Sequence, residues 1–380
     1  MSETKWDREV DILVVGTGNG ALTSALCNWE MGTRDVLIIE KTDKVGGTSA
    51  TSGGGIWIPA NHYAKACGAD DSAQDAKKYL MGTLFGEDVP EEMIDTYIDQ
   101  SPKMLKFLAD RTDVVYESLE HYPDYYTNYE GAKSGHRSLE PKPIDMSELG
   151  DDWKNLRWTH HMMRMFGRIH FTQVEAHTIM TQAPGWKSLL AKMLLGYVTD
   201  IGWRFRTSID RRLCTGSAGI ARLYLSVNKR AIPLLFNTRL ISLVEESGRI
   251  TGAVVEQGGQ TLRIGTRKGV VLGAGGFEKN QALREQYLPA PTNTQWSAGN
   301  PANEGDALLA GLFIGAKTRL MKDAWWTTTL CVPGEPTPRL AIMEKSFPGS
   351  CVVNRAGERF ANESQNYMAF QKDLFATHKI

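Results

Sequence analysis

The residues with the clearest chemistry in this 380-residue chain are Gly16, Gly18 and Ala21, in the run Gly16-Thr17-Gly18-Asn19-Gly20-Ala21, and Glu40 at the end of the next apolar run. A buried-strand pattern entering a G-x-G-x-x-A turn, then a helix, then a second strand ending in an acid is the βαβ fingerprint of a dinucleotide site. Gly16 permits the tight turn, Gly18 lets the backbone approach a pyrophosphate, and Ala21 keeps helix and strand close. The helix N-terminus turns its partial positive charge toward the phosphates. Glu40 stands at the spacing at which a carboxylate accepts hydrogen bonds from a ribose 2′-hydroxyl, which argues against a 2′-phosphate. A second glycine-rich loop follows at once, Gly46-Gly47-Thr48-Ser49 and Ser52-Gly53-Gly54-Gly55. Glycine carries a backbone entropy penalty. Two such clusters therefore read as amides and hydroxyls wrapped around a further part of the same ligand.

The elements that must position these residues follow from apolar periodicity. Val10–Val15 and Val36–Ile39 read as fully buried parallel strands, with Gly20–Gly32 as the crossover helix between them. Asp70–Gly86 and Glu91–Asp110 read as helices, and Ser101-Pro102 as an N-cap followed by a first-position proline. Val115 to Met146 is Tyr-, Gly- and Pro-rich and reads as irregular; Trp153–Arg212 reads as mixed helical. Pro233–Val244, Ile250–Glu256 and Thr261–Thr266 read as a β-meander turned at Ser247-Gly248 and Gly258-Gly259. Gly269–Phe277 reads as a separate buried strand that returns to the sheet and ends in glycines close to the ligand. Asn303–Ala316 reads as a helix capped by Asn303, and Asn366–His378 as a final helical segment.

The composition sets outer bounds. Hydrophobic content of 42% and charged content of 23% are those of a globular protein, and a net charge of −1 gives no electrostatic case for nucleic acid. The five cysteines have no C-x-x-C spacing, and none of the histidines forms H-x-x-x-H, so no metal site is expected. The polar start, Met1 to Glu9, carries no signal-peptide pattern, and the expected location is the cytoplasm. No apolar run reaches the ~18 residues of a membrane span. Leu189–Val198 is a short apolar run broken by Lys192 and Gly196; between a core helix and a membrane-touching face, the core is the expectation.

Further segments complete a set: Glu40-Lys41, Gly46–Ala50, Ser52–Pro59, Gly273–Asn280, Asn303–Ala307 and Gly357–Glu363. Together with the first turn this set resembles the flavoprotein family of 3-ketosteroid Δ1-dehydrogenases and fumarate reductases over essentially the whole length. The resemblance implies an α/β fold: a Rossmann-like FAD-binding domain with a β-meander (1–115 and 215–315), a helical or irregular insertion (116–214), and the start of an inserted capping, substrate-binding domain (316–380). It implies FAD as cofactor, held by Gly16, Gly18, Asn19, Gly20, Ala21, Glu40, Lys41, Gly47, Thr48, Ser49, Ser52, Gly53, Gly54, Gly55, Ala274, Gly275, Gly276 and Asp306. Ser52 and the glycines after it would pass near the flavin ring.

Tyr122-Pro123-Asp124-Tyr125-Tyr126 resembles the steroid dehydrogenase segment that supplies an active-site tyrosine, with Tyr125 and Tyr126 as alternatives. Asn362–Tyr367 resembles the segment that supplies a second one, the base, which makes Tyr367 its counterpart. Soluble fumarate reductases carry a carboxylate-holding histidine where this chain has Met321–Thr328; here Trp325 and Trp326 suit a flat apolar substrate. The implied reaction removes two hydrogens beside a ketone, one as a proton to Tyr367 and one as hydride to the flavin. The implied partner is a small apolar 3-ketosteroid, with the electron acceptor unidentified. A fumarate reductase-like enoate reductase is the alternative. Members of the family continue past the position of Ile380, so a truncated, inactive FAD-binding fragment is the third expectation.

Overall fold

The computed structural model describes residues 5–335 and 337–378. Met1–Thr4, at the polar start, and Lys379 and Ile380, at the end of the last expected helix, lie outside the described residues. The chain divides into two compact units, Met1–Ala274 and Gly275–Ile380. Residues 116–214, read from the sequence as an insertion, lie within the first unit.

The first unit is built on a six-stranded mixed sheet. Its spatial order is Leu234–Leu235, Val36–Ile39, Arg8–Val15, Gln260–Leu272, Arg249–Gln257, Thr238–Glu246. The first four run parallel, in register at Val14↔Ile38 and Val14↔Val271; the last three are antiparallel. Val10, Leu13, Val14 and Val36–Ile39 are almost wholly buried, the continuous apolar run expected of strands covered on both faces. The crossover helix is Asn19–Glu30, which buries Ala21, Leu22, Ala25 and Leu26.

The third meander strand and the returning strand are one, Gln260–Leu272, which pairs antiparallel to Arg249–Gln257 and then parallel to Arg8–Val15. Arg267-Lys268, which reads as an interruption, continues the strand because both side chains are exposed, with Arg267 paired to Asp11 and Asp35. Ser101-Pro102 starts nothing. The helix Glu91–Arg111 runs through Pro102, because the buried stripe Ile94, Ile98, Ser101, Leu105 and Leu108 holds it on both sides. That packing offsets a proline cost of about 3 kcal/mol. The expected irregular stretch contributes two strands, Tyr116–Ser118 and Ser138–Pro141, to a small sheet with Ile56–Trp57. Within the glycine loop, Gly47–Thr51 is a helical turn. Leu189–Val198 is not core: the helix that contains it, Trp186–Thr199, has no buried residue.

Three further helices are not foreshadowed by the sequence pattern, the short His62–Ala66 and Gln281–Tyr287 and the long Thr215–Lys229. Thr215–Lys229 buries twelve of its fifteen residues, Gly216 to Ala221 among them, against the Asn19–Glu30 and Gly47–Thr51 helices. Its small residues carry little hydrophobic signal. The spacing of Ile220, Leu223, Tyr224 and Val227 is nevertheless that of a buried helix face.

In the second unit the expected helix at Asn303 begins later, at Asp306–Phe313, with Gly305 before it at φ 84°. Asn303 lies two residues before the N-cap position, Gly305, and its Nδ2 donates to Glu278 Oε1 at 2.7 Å. The last described helix is Tyr367–His378.

Candidate functional site

The first turn forms as its glycines dictate. Gly16 has φ 102°, and a Cβ there would lie 2.4 Å from the Gly273 carbonyl oxygen. A Cβ on Gly273 would in turn sit 2.8 Å from the Ala21 Cβ, so helix and strand touch where Ala21 was expected to let them. The Asn19–Glu30 helix starts with no acid in its first turn and no side-chain cap among the described residues. Asn19 N–H is taken by Ser49 Oγ at 3.1 Å, and the dipole at this helix end favours an anion. On Gly18 a Cβ would meet only Ser49 Oγ, at an ordinary 3.4 Å, so packing alone does not demand glycine there.

Glu40 is buried and held. One carboxylate oxygen accepts from Thr42 N (2.9 Å) and Thr42 Oγ1 (3.0 Å); the other accepts from Thr17 Oγ1. Gly46 N donates to that same Thr17 hydroxyl at 3.0 Å. A carboxylate has about four acceptor positions, and three of these are filled among the described residues. Thr17, which the sequence reading passed over, thus couples the first turn, the acid and the second glycine loop.

That loop is closed over the start of the Thr215–Lys229 helix. Asn19 N donates to Ser49 Oγ (3.1 Å), Ser52 Oγ donates to Ser49 O (2.8 Å), and Gly54 N donates to Ser52 Oγ (3.0 Å). Gly216 N donates to Ser52 O at 3.1 Å. Gly54 has φ 73°, and a Cβ there would lie 2.5 Å from Gly216 N. Between these pieces is a cavity of about 150 Å³ lined by Asn19, Ser49, Ser52, Gly54, Tyr116 and Gly216 among others. Burial pushes the Tyr116 phenol up to about 12, so it stands there as a neutral hydroxyl. Backbone amides, hydroxyls and glycines that leave no room for a Cβ suit a phosphate-and-sugar chain. Gly47 starts the helical turn, Lys41 is half-buried and Thr48 is exposed.

The loop has two outer supports. Gln173 Nε2 donates to Gly53 O (3.3 Å), while Gln173 N donates to Glu140 Oε1 (2.7 Å). Glu140 is almost wholly buried, and that burial raises its pKa from 4.5 to about 7. The folded state therefore favours its protonated form. The stabilisation is full below about pH 4.5 and is lost as pH rises through 7. Glu140→Gln keeps the acceptor for Gln173 N–H and removes the ionisation. In urea unfolding the variant is expected to match the parent at pH 4.5 and to exceed it at pH 8 by up to about 3 kcal/mol. A variant less stable at pH 8 would show that the ionised carboxylate is favourably held.

The other support is Trp57, on the strand after Gly55. Its Nε1 donates to Asp124 Oδ1 at 2.7 Å, and Asp124 Oδ2 accepts from buried Arg137, which also pairs with Asp71 at 2.8 Å. Asp124 immediately precedes Tyr125 and Tyr126, so this buried triad ties the tyrosine segment to the glycine loop. Tyr126 packs edge-on to Phe85 and Tyr129. Its amide donates to the Tyr79 hydroxyl at 3.3 Å.

Ala274 ends the first unit, and Gly275, Gly276, Asp306 and Tyr367 belong to the second. There Gly275 (φ 81°) lies against the Asn303 amide, and Gly305 N donates to Gly276 O at 3.1 Å. Asp306 begins the helix directly after, so these three residues are gathered at one helix start. Tyr367 is the first residue of the last helix, and its hydroxyl oxygen accepts the Trp325 indole N–H at 2.9 Å.

Comparison with known proteins agrees with this cradle. Residues 11–380 match the FAD binding domain family. The 3-oxosteroid 1-dehydrogenase of Mycolicibacterium smegmatis is 36% identical over 95% of this chain, and the chain spans 63% of that protein's length. The 4-oxocyclohexanecarboxylate 2-dehydrogenase of Sinomonas cyclohexanicum is 33% identical over 94% of this chain and 59% of its own. A crystal structure of 3-ketosteroid delta1-dehydrogenase from Sterolibacterium denitrificans, in complex with 1,4-androstadiene-3,17-dione, superposes with a TM-score of 0.94 at 40% identity. That match covers 98% of this chain and 66% of the other. No helix among the described residues is long and apolar enough to cross a membrane. The tight glycine turn, the held acid and the family match agree: the chain belongs to the FAD binding domain family, with FAD as the dinucleotide its cradle fits.

Proposed function

We propose that the chain serves an FAD-dependent dehydrogenase that introduces a double bond beside the carbonyl of an apolar ring ketone, a 3-ketosteroid at C1–C2. The observation that carries this reading is the TM-score of 0.94, over 98% of the chain, to a dehydrogenase structure holding a steroid dienedione. FAD supplies the redox chemistry when bound, as acceptor of one hydrogen with its electron pair. The chain's part is to take the other as a proton. That hydrogen is acidic because it is α to the carbonyl, and Tyr367 is the residue to receive it. A phenol of pKa about 10 is a weak base at neutral pH and needs a donor to hold its anion. The Trp325 N–H is such a donor, and Tyr125 or Tyr126 is the second candidate. Gly16, Gly18, Asn19, Ser49, Ser52–Gly55, Ala274–Gly276 and Asp306 hold the cofactor in this reading, with Glu40 on the ribose. The location we infer is the cytoplasm, in keeping with five free thiols.

The smaller keto acid named for the Sinomonas relative favours a second substrate for the same chemistry. Fumarate reduction is disfavoured, since Met321–Thr328 holds no histidine to seat a carboxylate. The test is purification, a visible spectrum, and turnover with an artificial electron acceptor. A 3-keto-4-ene steroid, 4-oxocyclohexanecarboxylate, and fumarate with reduced flavin are assayed side by side. Yellow protein that oxidises the steroid is expected. Oxidation of the keto acid alone moves the substrate; yellow, inert protein reduces the chain to a cofactor-binding fragment; colourless protein overturns the reading.

A further inference from the structure

We propose that Glu140 sets the reduction potential of the bound flavin, as a buried charge joined to the glycine loop through Gln173; this rests on the reading above, in which Ser52–Gly55 hold the cofactor. Three contacts place Glu140 beside that loop. Its strand neighbour Leu139 pairs with Ile56, the residue after Gly55. Glu140 Oε1 accepts from Gln173 N at 2.7 Å, and Gln173 Nε2 donates to Gly53 O at 3.3 Å. The same Nε2 would lie 3.5 Å from a Cβ on Gly55. Gln173 is held there because it opens the Gln173–Met180 helix behind a Thr172–Glu175 capping box.

A surface carboxylate is screened by solvent and salt, whereas Glu140 is only 4% exposed. Of the charged groups that face it, Arg212 is committed to Glu175 through hydrogen bonds of 2.9 and 3.0 Å. Glu175 and, across the strand pair, Glu117 repel its charge, and burial keeps the neighbouring Cys214 thiol neutral. Burial raises the Glu140 pKa to about 7, so its charge changes near neutrality. Two electrons from a reduced dye, with one proton from solvent, leave the bound flavin one negative charge richer. An ionised Glu140 opposes that charge, and a protonated one does not. By linkage, the carboxyl binds its proton more tightly once the flavin is reduced. The potential therefore falls by an extra amount as pH rises through 7, in a step that belongs to this side chain.

The experiment measures the midpoint potential of the flavin in the purified, flavin-loaded chain, by equilibration with a redox dye, at about pH 5.5 and about pH 9. Glu140→Gln keeps the acceptor for Gln173 N and removes the charge. It is expected to match the parent at the lower pH. At the higher pH its flavin should be about ten-fold easier to reduce, a rise of about 30 mV for two electrons. Glu117→Gln removes an exposed charge from the facing strand and should shift neither value. Equal potentials in Glu140→Gln and the parent at the higher pH overturn the proposal. So does the same offset at both pH values, which reports a displaced loop, and so does an equal shift in Glu117→Gln. Gln173→Leu, with Glu140 intact, should release flavin about five-fold faster through the lost Gly53 bond. Unchanged release overturns the part given to Gln173. The potential is read without turnover, so its failure is separate from that of the dehydrogenase reading, and the loop's hold on flavin is tested by itself in Gly216→Ala.

Discussion

Tyr367→Phe is expected to lower steroid turnover by about three orders of magnitude, within the range that positioned acid–base groups contribute, while the visible spectrum of bound flavin stays unchanged. The phenol has a direct hydrogen-bond partner, and its backbone is held from two sides. Its oxygen accepts the Trp325 N–H at 2.9 Å. It opens the Tyr367–His378 helix, which Asn366 caps by accepting from Ala369 N at 2.9 Å, so the dipole of that end favours an anion. The preceding segment is clamped by buried Lys345, whose ammonium donates to the Glu363 and Gln365 carbonyls, both at 2.6 Å. Removing the oxygen removes the proposed proton acceptor and leaves this frame standing. Trp325→Phe removes only the donor. It should slow turnover about ten-fold, with the visible spectrum of bound flavin unchanged. Full turnover in Tyr367→Phe would exclude it as the base, and undiminished turnover in Trp325→Phe would exclude the indole as its support.

What was legible in the sequence was local. Gly16 and Ala21 are read from spacing because a positive φ and a close helix–strand approach act on residues a few positions apart. Thr17 was not legible, since its partners Glu40 and Gly46 become neighbours only when the sheet forms. The Thr215–Lys229 helix was hidden for a related reason. Its first turns are small so that the glycine loop can lie on them, and a requirement for smallness leaves no hydrophobic signal in those turns, with the apolar spacing starting only at Ile220. Leu189–Val198 fails in the opposite way. Its apolarity is plain in the sequence, but apolarity does not say whether the covering partner belongs to the same fold. Residue Pro102 shows that a strong local breaker yields when a buried stripe on both sides outweighs it. The tyrosines are legible only through the family resemblance, since nothing in their spacing separates a base from a packing residue.

Gly216→Ala should strip the chain of flavin, and its effect is argued from where the added methyl has to go. The Cβ would stand 2.1 Å from Ser49 O, 2.7 Å from Ser52 O and 3.0 Å from Ala50 O. All three are backbone oxygens of the glycine loop, so no side chain can rotate away; the loop or the helix must shift. In an open helix the same change is favourable by roughly 1 kcal/mol, so a net loss reports the clash. Overpacking of this kind costs about 1–3 kcal/mol. It also breaks the Gly216 N to Ser52 O bond that seats the loop. The expected result is flavin content below about a tenth of the parent, with the six-stranded sheet intact by far-UV circular dichroism. Gly20→Ala is the matched control: it is the same substitution in a helix first turn, where an added Cβ meets nothing within 4 Å. Its unfolding midpoint should hold or rise. If Gly216→Ala retained full flavin and the parent's midpoint, the close seating of the loop on the Thr215–Lys229 helix would not be what shapes the cofactor site.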